Sequence, residues 1–138
     1  MKKIIKLSLL LIIGTIALYA CSKTEDASSE TALQSRVEQE WTFKTESDWA
    51  GVYDMTCGEF RSKFPRSTFL SADKIKVTSF EILEIKATDD KRGTATIKYT
   101  VSQAGHDFDF TTHEEWLFEN DQWCLNLLPA FEGIPMSK

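Results

Sequence analysis

Apolar and polar positions change their spacing four times along this chain. From Leu7 to Ala20 the residues are uncharged and almost wholly apolar, preceded by Lys2, Lys3 and Lys6. A basic start, an apolar run too short to span a bilayer comfortably and a small residue at its end predict a cleaved export leader rather than a membrane span. Residues 22–30 are small and polar, with nothing to bury, and predict a flexible tether. From Thr31 a helical period takes over, with Leu33, Val37 and Trp41 at four-residue steps and Arg36, Glu38, Gln39 and Glu40 at the positions between, so one helix is expected to about Glu46. Ser47 and Asp48 offer capping oxygens to a second helix, on which Trp49, Val52, Tyr53, Thr56, Cys57 and Phe60 share a face. Gly58 is placed to end or kink it, and Phe64-Pro65 is expected to close the helical half.

The second half alternates with a period of two. Segments Ile75–Lys86, Thr94–Gln103, Phe108–Glu119 and Trp123–Leu128 are rich in β-branched and aromatic residues and are separated by short turn-forming stretches, which predicts a four-stranded antiparallel meander. In the second strand Ala95, Ile97, Tyr99 and Val101 alternate with polar residues, so one face is buried and the other wet. In the third, Phe108, Phe110, Trp116 and Phe118 share the buried face, interrupted only by Thr112 and Glu114. Ile75, Val77, Leu83 and Ile85 have one parity in the first strand and Phe80 and Ile82 the other, which calls for a bulge near Ser79 or for apolar contact on both faces.

Composition narrows the range of functions. The leader holds three of the 16 basic residues and none of the 21 acids, so its removal leaves 118 residues with a formal charge of −8. That length suits one domain with one core. The acidic balance argues against nucleic acid as a partner and against adhesion to anionic lipid heads, since both want clustered Lys and Arg.

Leu18-Tyr19-Ala20-Cys21 resembles the lipobox of bacterial lipoproteins, with Tyr19 an unusual occupant of its position. The resemblance implies a diacylglyceryl thioether and an N-acyl chain such as palmitate on Cys21. Several chains anchor stably where one holds only reversibly. Ser22 lacks the acidic character that favours inner-membrane retention in the resembling proteins, so the expected location is the outer membrane, facing the periplasm. The domain organisation is then a leader over residues 1–20, the lipidated cysteine and tether over 21–30, and one folded domain over 31–138.

Helices followed by a long antiparallel sheet is the order of the cystatin-like and NTF2-like α+β cone. Trp41, Asp48, Tyr53 and the Phe60-Arg61 pair are similar to the helical signature of bacterial NTF2-like proteins, and Glu115-Trp116-Leu117-Phe118-Glu119-Asn120-Asp121-Gln122-Trp123 resembles their closing hairpin. The resemblance implies helices packed on a curved four-stranded sheet around a conical pocket. Some members use that pocket for isomerisation or dehydration, others for binding, folding partners or dimerisation, and fold alone does not choose among them.

Glu114 is the acid that parity sets on an apolar strand face, where burial would shift it toward a working base. The plainer reading, which the sequence favours, sets it near the open rim, wetted by solvent or paired with a helix cation such as Lys44 or Arg61. Tyr99, Thr112 and Glu114 are the expected polar contacts of an apolar cleft, with Trp116 beside them, and each ring is core before it is anything else. His106, Asp107, Asp109 and His113 lack a recognised ligand spacing, so no metal and no cofactor is expected. The sequence thus points to a lipid-anchored binding or assembly-support module that takes a small apolar ligand or an envelope protein. An NTF2-like enzyme using Glu114 is the alternative. A homodimer through the outer sheet face is an expectation from the same resemblance.

Cys57 and Cys124 are the two cysteines left after Cys21. An oxidising compartment favours a bond between them. A two-residue turn at Asn120-Asp121, however, opposes Leu117 to Cys124 and aims Cys124 away from the face of Trp116 and Phe118. Only a longer turn or a helix wrapping the sheet edge would let Cys57 reach it. Otherwise both are buried thiols acting as small hydrophobes.

Overall fold

The computed structural model describes residues 26–131. The leader, Cys21, the first part of the tether and residues 132–138 lie outside this range. Helix α1 (Glu30–Glu46) begins where Ser29 accepts a hydrogen bond from the Ala32 amide and ends at Ser47, whose φ of 61° closes it with a left-handed residue. Its buried face is Leu33, Val37, Glu40 and Trp41. Glu40, expected among the solvated positions, is therefore in the interior.

The second helix is shorter than its periodicity suggests. Helix α2 covers Trp49–Asp54, with the Asp48 carboxylate accepting from the Gly51 amide at 2.9 Å. The chain then leaves the helix to run beside the last strand. The Leu125 amide donates to Met55 O and the Cys57 amide to Leu125 O, at 2.9 and 3.0 Å, a parallel bridge centred on Thr56 and Leu125. Helix α3 (Gly58–Lys63) starts afresh after this excursion. The expectation of one helix across Thr56 and Cys57 is corrected here, because strand pairing with Leu125 outcompetes continued helix.

Pro65 also corrects an expectation. It opens helix α4 (Arg66–Ser71), with Phe69 N donating to Pro65 O at 3.0 Å. Proline lacks only an amide that a helix start leaves unused, so it ends the helix before it and permits a new one after it.

Strands β1 (Val77–Ala87), β2 (Arg92–Gln103), β3 (His106–Glu119) and β4 (Gln122–Asn126) form one antiparallel sheet in the order β1-β2-β3-β4, the meander read from the sequence. Leu128, expected in β4, instead opens the short helix α5 (Leu128–Phe131). Asn120 and Asp121 both have positive φ, the requirement of a two-residue type I′ turn, and the register opposes Leu117 to Cys124 as expected.

Two register shifts in β1 resolve its mixed parity. One lies between Val77 and Ser79, as anticipated, and a second between Ile82 and Glu84. Each shift turns the following side chains over. Val77, Phe80, Ile82, Ile85 and Ala87 thereby all join or pack against the core, and Leu83 at the second shift is left 51% exposed.

The core lies between α1 and the inner face of the sheet, with Leu33, Val37 and Trp41 set against Ala95, Ile97, Trp116, Trp123 and Leu125. Leu33 Cδ2 occupies the space a side chain at Gly93 would need, so a glycine there lets the helix approach the strand. Arg36 Nε donates to Trp123 O at 3.1 Å and ties α1 to β4. Phe108 and Phe110 depart from expectation, being 48% and 49% exposed. Trp41, on the C-terminal half of α1, packs against Tyr99 at a tilt with ring centroids 4.9 Å apart, and Phe108 and Phe110 lie toward the β2–β3 turn from that contact.

Candidate functional site

Where the C-terminal half of α1 meets the middle of β3, a cleft of about 430 Å³ opens, walled by Trp41, Lys44, Trp49, Thr112, Glu114 and Leu125 among others. A second, almost wholly apolar cleft of about 490 Å³ adjoins it under α2 and α4, lined by Val52, Phe64, Phe69 and Phe131. Lys44, Trp49, Leu125 and Leu127 belong to both walls, so the two are neighbouring compartments of one concave region.

Helical geometry builds the polar floor of that region. Positions 33, 37, 40, 41 and 44 fall on one stripe of α1, which sets the Glu40 carboxylate and the Lys44 ammonium side by side at a four-residue step. Lys44 Nζ also donates to Glu114 Oε1 at 3.1 Å across to β3 and stands 3.8 Å from the centroid of the Trp41 ring. Two carboxylates thus share one cation in a nearly dry setting.

Burial pushes the Glu40 carboxyl up from 4.5 to about 8, with the neighbouring Glu114 charge adding to the rise and Lys44 opposing it. For Lys44, burial alone would lower the ammonium's proton affinity. The two carboxylates outweigh that and hold it above its ordinary value. Glu114 is 8% exposed, and its Oε2 has no hydrogen-bond partner.

The residues singled out in the sequence separate into two groups. Tyr99, Thr112 and Glu114 line the first cleft. Trp116 is fully buried in the core and belongs to the wall of neither cleft. The cation that meets Glu114 is Lys44, whereas Arg61 donates instead to Asp54 O. Glu40 was missed, although its place seven residues after Leu33 and three after Val37 puts it on the apolar stripe.

The four-residue His/Asp group does not converge. His113 Nδ1 lies 3.0 Å from Thr96 Oγ1, while Asp109 accepts from Thr100 and pairs with Lys98. Among the described residues, Cys57, Glu119 and Cys124 are the group whose ligand atoms come within 4.8 Å of one another. The Cys57 and Cys124 sulfurs are at bonding distance with Cα atoms 4.9 Å apart, and a bonded pair has no thiolate to offer a metal. Cys57 reaches the outer side of β4 because the Met55–Cys57 segment runs along that strand's edge, the geometry that the register of Cys124 demands.

Among the described residues the fold defines an α+β domain with four helices ahead of a four-stranded antiparallel meander and the short α5 after it. No protein-family model matches the chain, and no curated protein sequence does. Among solved structures the chain is similar to a SEC-C motif containing protein from Rhodopseudomonas palustris, determined in solution, with a TM-score of 0.58 and 13% identity over 75% of this chain and 79% of that one. At that identity the likeness is one of fold.

Proposed function

We propose that this chain is a lipid-anchored binding or assembly-support module of the bacterial envelope, an NTF2-like cone tethered through Cys21 and facing the periplasm. The observation that carries the binding role is the pair of adjoining clefts on the inner side of the sheet, apolar in their walls and polar at one floor. Their volumes fall in the range of about 300–1,000 Å³ usual for small-molecule sites.

The enzymatic alternative fares less well on geometry. A general base needs a free lone pair within reach of substrate. Glu114 spends Oε1 on Lys44 and keeps Oε2 buried out of solvent's reach, and Glu40, whose carboxyl is raised to about 8, lines neither cleft. The same ion pair makes sense in a binding site, where it fixes the shape and polarity of the floor.

Titration of the full chain with 1-hexanol, a neutral solute small enough for either cleft, tests the reading. Trp41 and Trp49 stand in the walls, so a saturable change in tryptophan emission is expected. A response that only grows linearly with solute, as bulk solvent effects do, would overturn the binding role.

A further inference from the structure

Strand β4 covers only the far end of β3. The two pair from Glu115–Asn126 to Glu119–Gln122, whereas β3 keeps an unbroken register with β2 back to the Gln103–His106 pair at the turn. His106 to Glu114 is therefore a ledge, a stretch of strand with a neighbour on one side. Phe118 N donates to Lys91 O on the β2 side. Backbone alternation then turns the amides and carbonyls of the even-numbered residues to β2 and those of Asp107, Asp109, Thr111 and His113 outward. Among the described residues no backbone hydrogen bond reaches them from that side. His106 to Thr111 are exposed without interruption, Phe108 and Phe110 included, whichever face they lie on. The ledge also lacks the usual guards of an open edge: a bulge, a proline or a lysine.

We propose that this ledge pairs antiparallel with the same ledge of a second copy, about a two-fold axis at Phe110. Phe110 is the middle residue of His106 to Glu114, so this register uses the ledge from end to end and brings the second copy's β2–β3 turn up to the end of β4 at Asn126. Asp109 then faces Thr111, and Asp107 faces His113, of the second copy. These are the outward-bonding residues, each pair exchanges two backbone hydrogen bonds, and the two-fold repeats both pairs. His113 has Nδ1 beside Thr96 Oγ1, which leaves Nε2 for the Asp107 carboxylate of the second copy. The two Phe110 rings meet as a cross-strand aromatic pair. Neighbouring registers are worse, since an axis at Asp109 opposes two Asp109 carboxylates and one at Thr111 opposes Asp107 to Glu115, where β4 already lies. The pairing consumes the ledge on both copies, so it closes as a dimer and offers nothing to a third. It runs edge to edge and is separate from the outer-face contact that the sequence resemblance implies. Thr112 and His113 stand in the wall of the first cleft, so the second copy brings its His106 and Asp107 to that rim.

The test is register-specific crosslinking of the full chain in a mild nonionic detergent, oxidised with copper phenanthroline and read as linked dimer on a non-reducing gel, with the unaltered chain as the blank. Opposed residues of a non-hydrogen-bonded pair have Cα atoms about 4.5 Å apart, within the roughly 4.4–6.8 Å that a disulfide spans. Phe110→Cys is therefore expected to link to itself across the axis. Phe108→Cys, equally exposed, is set opposite Thr112 and lies about 13 Å along the strand from its own counterpart. It is expected to give at least about tenfold less linked dimer. Adding Thr111→Pro to Phe110→Cys removes an outward amide that β2 does not use and is expected to abolish the link. If the proline variant does not fold, the comparison of positions 110 and 108 decides by itself. Equal linking at both positions marks random collision and overturns the pairing. Linking at neither, the result if another chain occupies the ledge or nothing does, overturns the second copy as its occupant. None of these outcomes bears on what the clefts bind, so the binding role stands or falls separately.

Discussion

At the scale of single residues, the group that most shapes this molecule is Glu40. Its carboxyl titrates near 4.5 in the unfolded chain and is raised to about 8 in the fold. Between those values the folded state keeps a proton that the unfolded state has released, so stability falls as pH rises through the window and levels off above about 8. The thermal midpoint is therefore expected to drop from pH 5 to pH 8, and Glu40→Gln, which fixes the uncharged form, to flatten that slope. A midpoint that climbs across the window would contradict the assignment. The other two members of the cluster were legible in the sequence. Strand alternation exposes Glu114 as an acid among rings, and Lys44 is one of the two helix cations, with Arg61, that the sequence offers as its partner. Glu40 was not, because a charged residue reads as solvated until something offsets its burial, and the Lys44 ammonium that does so is itself engaged by Glu114 of β3, far along the chain.

At the scale of elements, periodicity found α1, all four strands and the Asn120-Asp121 turn. It failed where two local signals competed. Trp49 to Phe60 keeps a helical spacing throughout, yet Thr56 and Cys57 leave the helix to pair with Leu125, a choice settled by a strand that arrives nearly 70 residues later. Pro65 reads as a stop and serves as a start, since both rest on the same missing amide. The second shift in β1 has no marker residue, and only the cost of turning Ile85 and Ala87 away from the core explains it. The edge excursion has a testable corollary. We expect peptide mapping of the unreduced protein to recover Cys57 and Cys124 linked. Replacing both with serine should cost about 4 kcal/mol in urea unfolding, the effect of closing a loop of this length in the unfolded chain. Free thiols at both positions would refute the link.

At the scale of the whole molecule, among the described residues no helix is long and apolar enough to cross a membrane. The proposed lipid anchor has its own check: mass spectrometry of the mature N-terminus is expected to find acyl chains on Cys21, and Cys21→Ala to leave the protein released or unprocessed. An unmodified Cys21 would defeat that assignment. Under the proposed anchoring many copies share a plane, where exposed strands meet often and a bare edge would template ladder growth from one molecule to the next. The sheet has two edges. That of β4 is occupied by the Met55–Cys57 segment of the same chain. That of β1 carries Glu81, Glu84 and Lys86 and is cut by two register shifts into runs of four residues, Ser79–Ile82 and Glu84–Ala87, too short and too charged to seed a fibril. The irregularity that lets β1 bury its apolar residues also keeps crowded neighbours from stacking onto it.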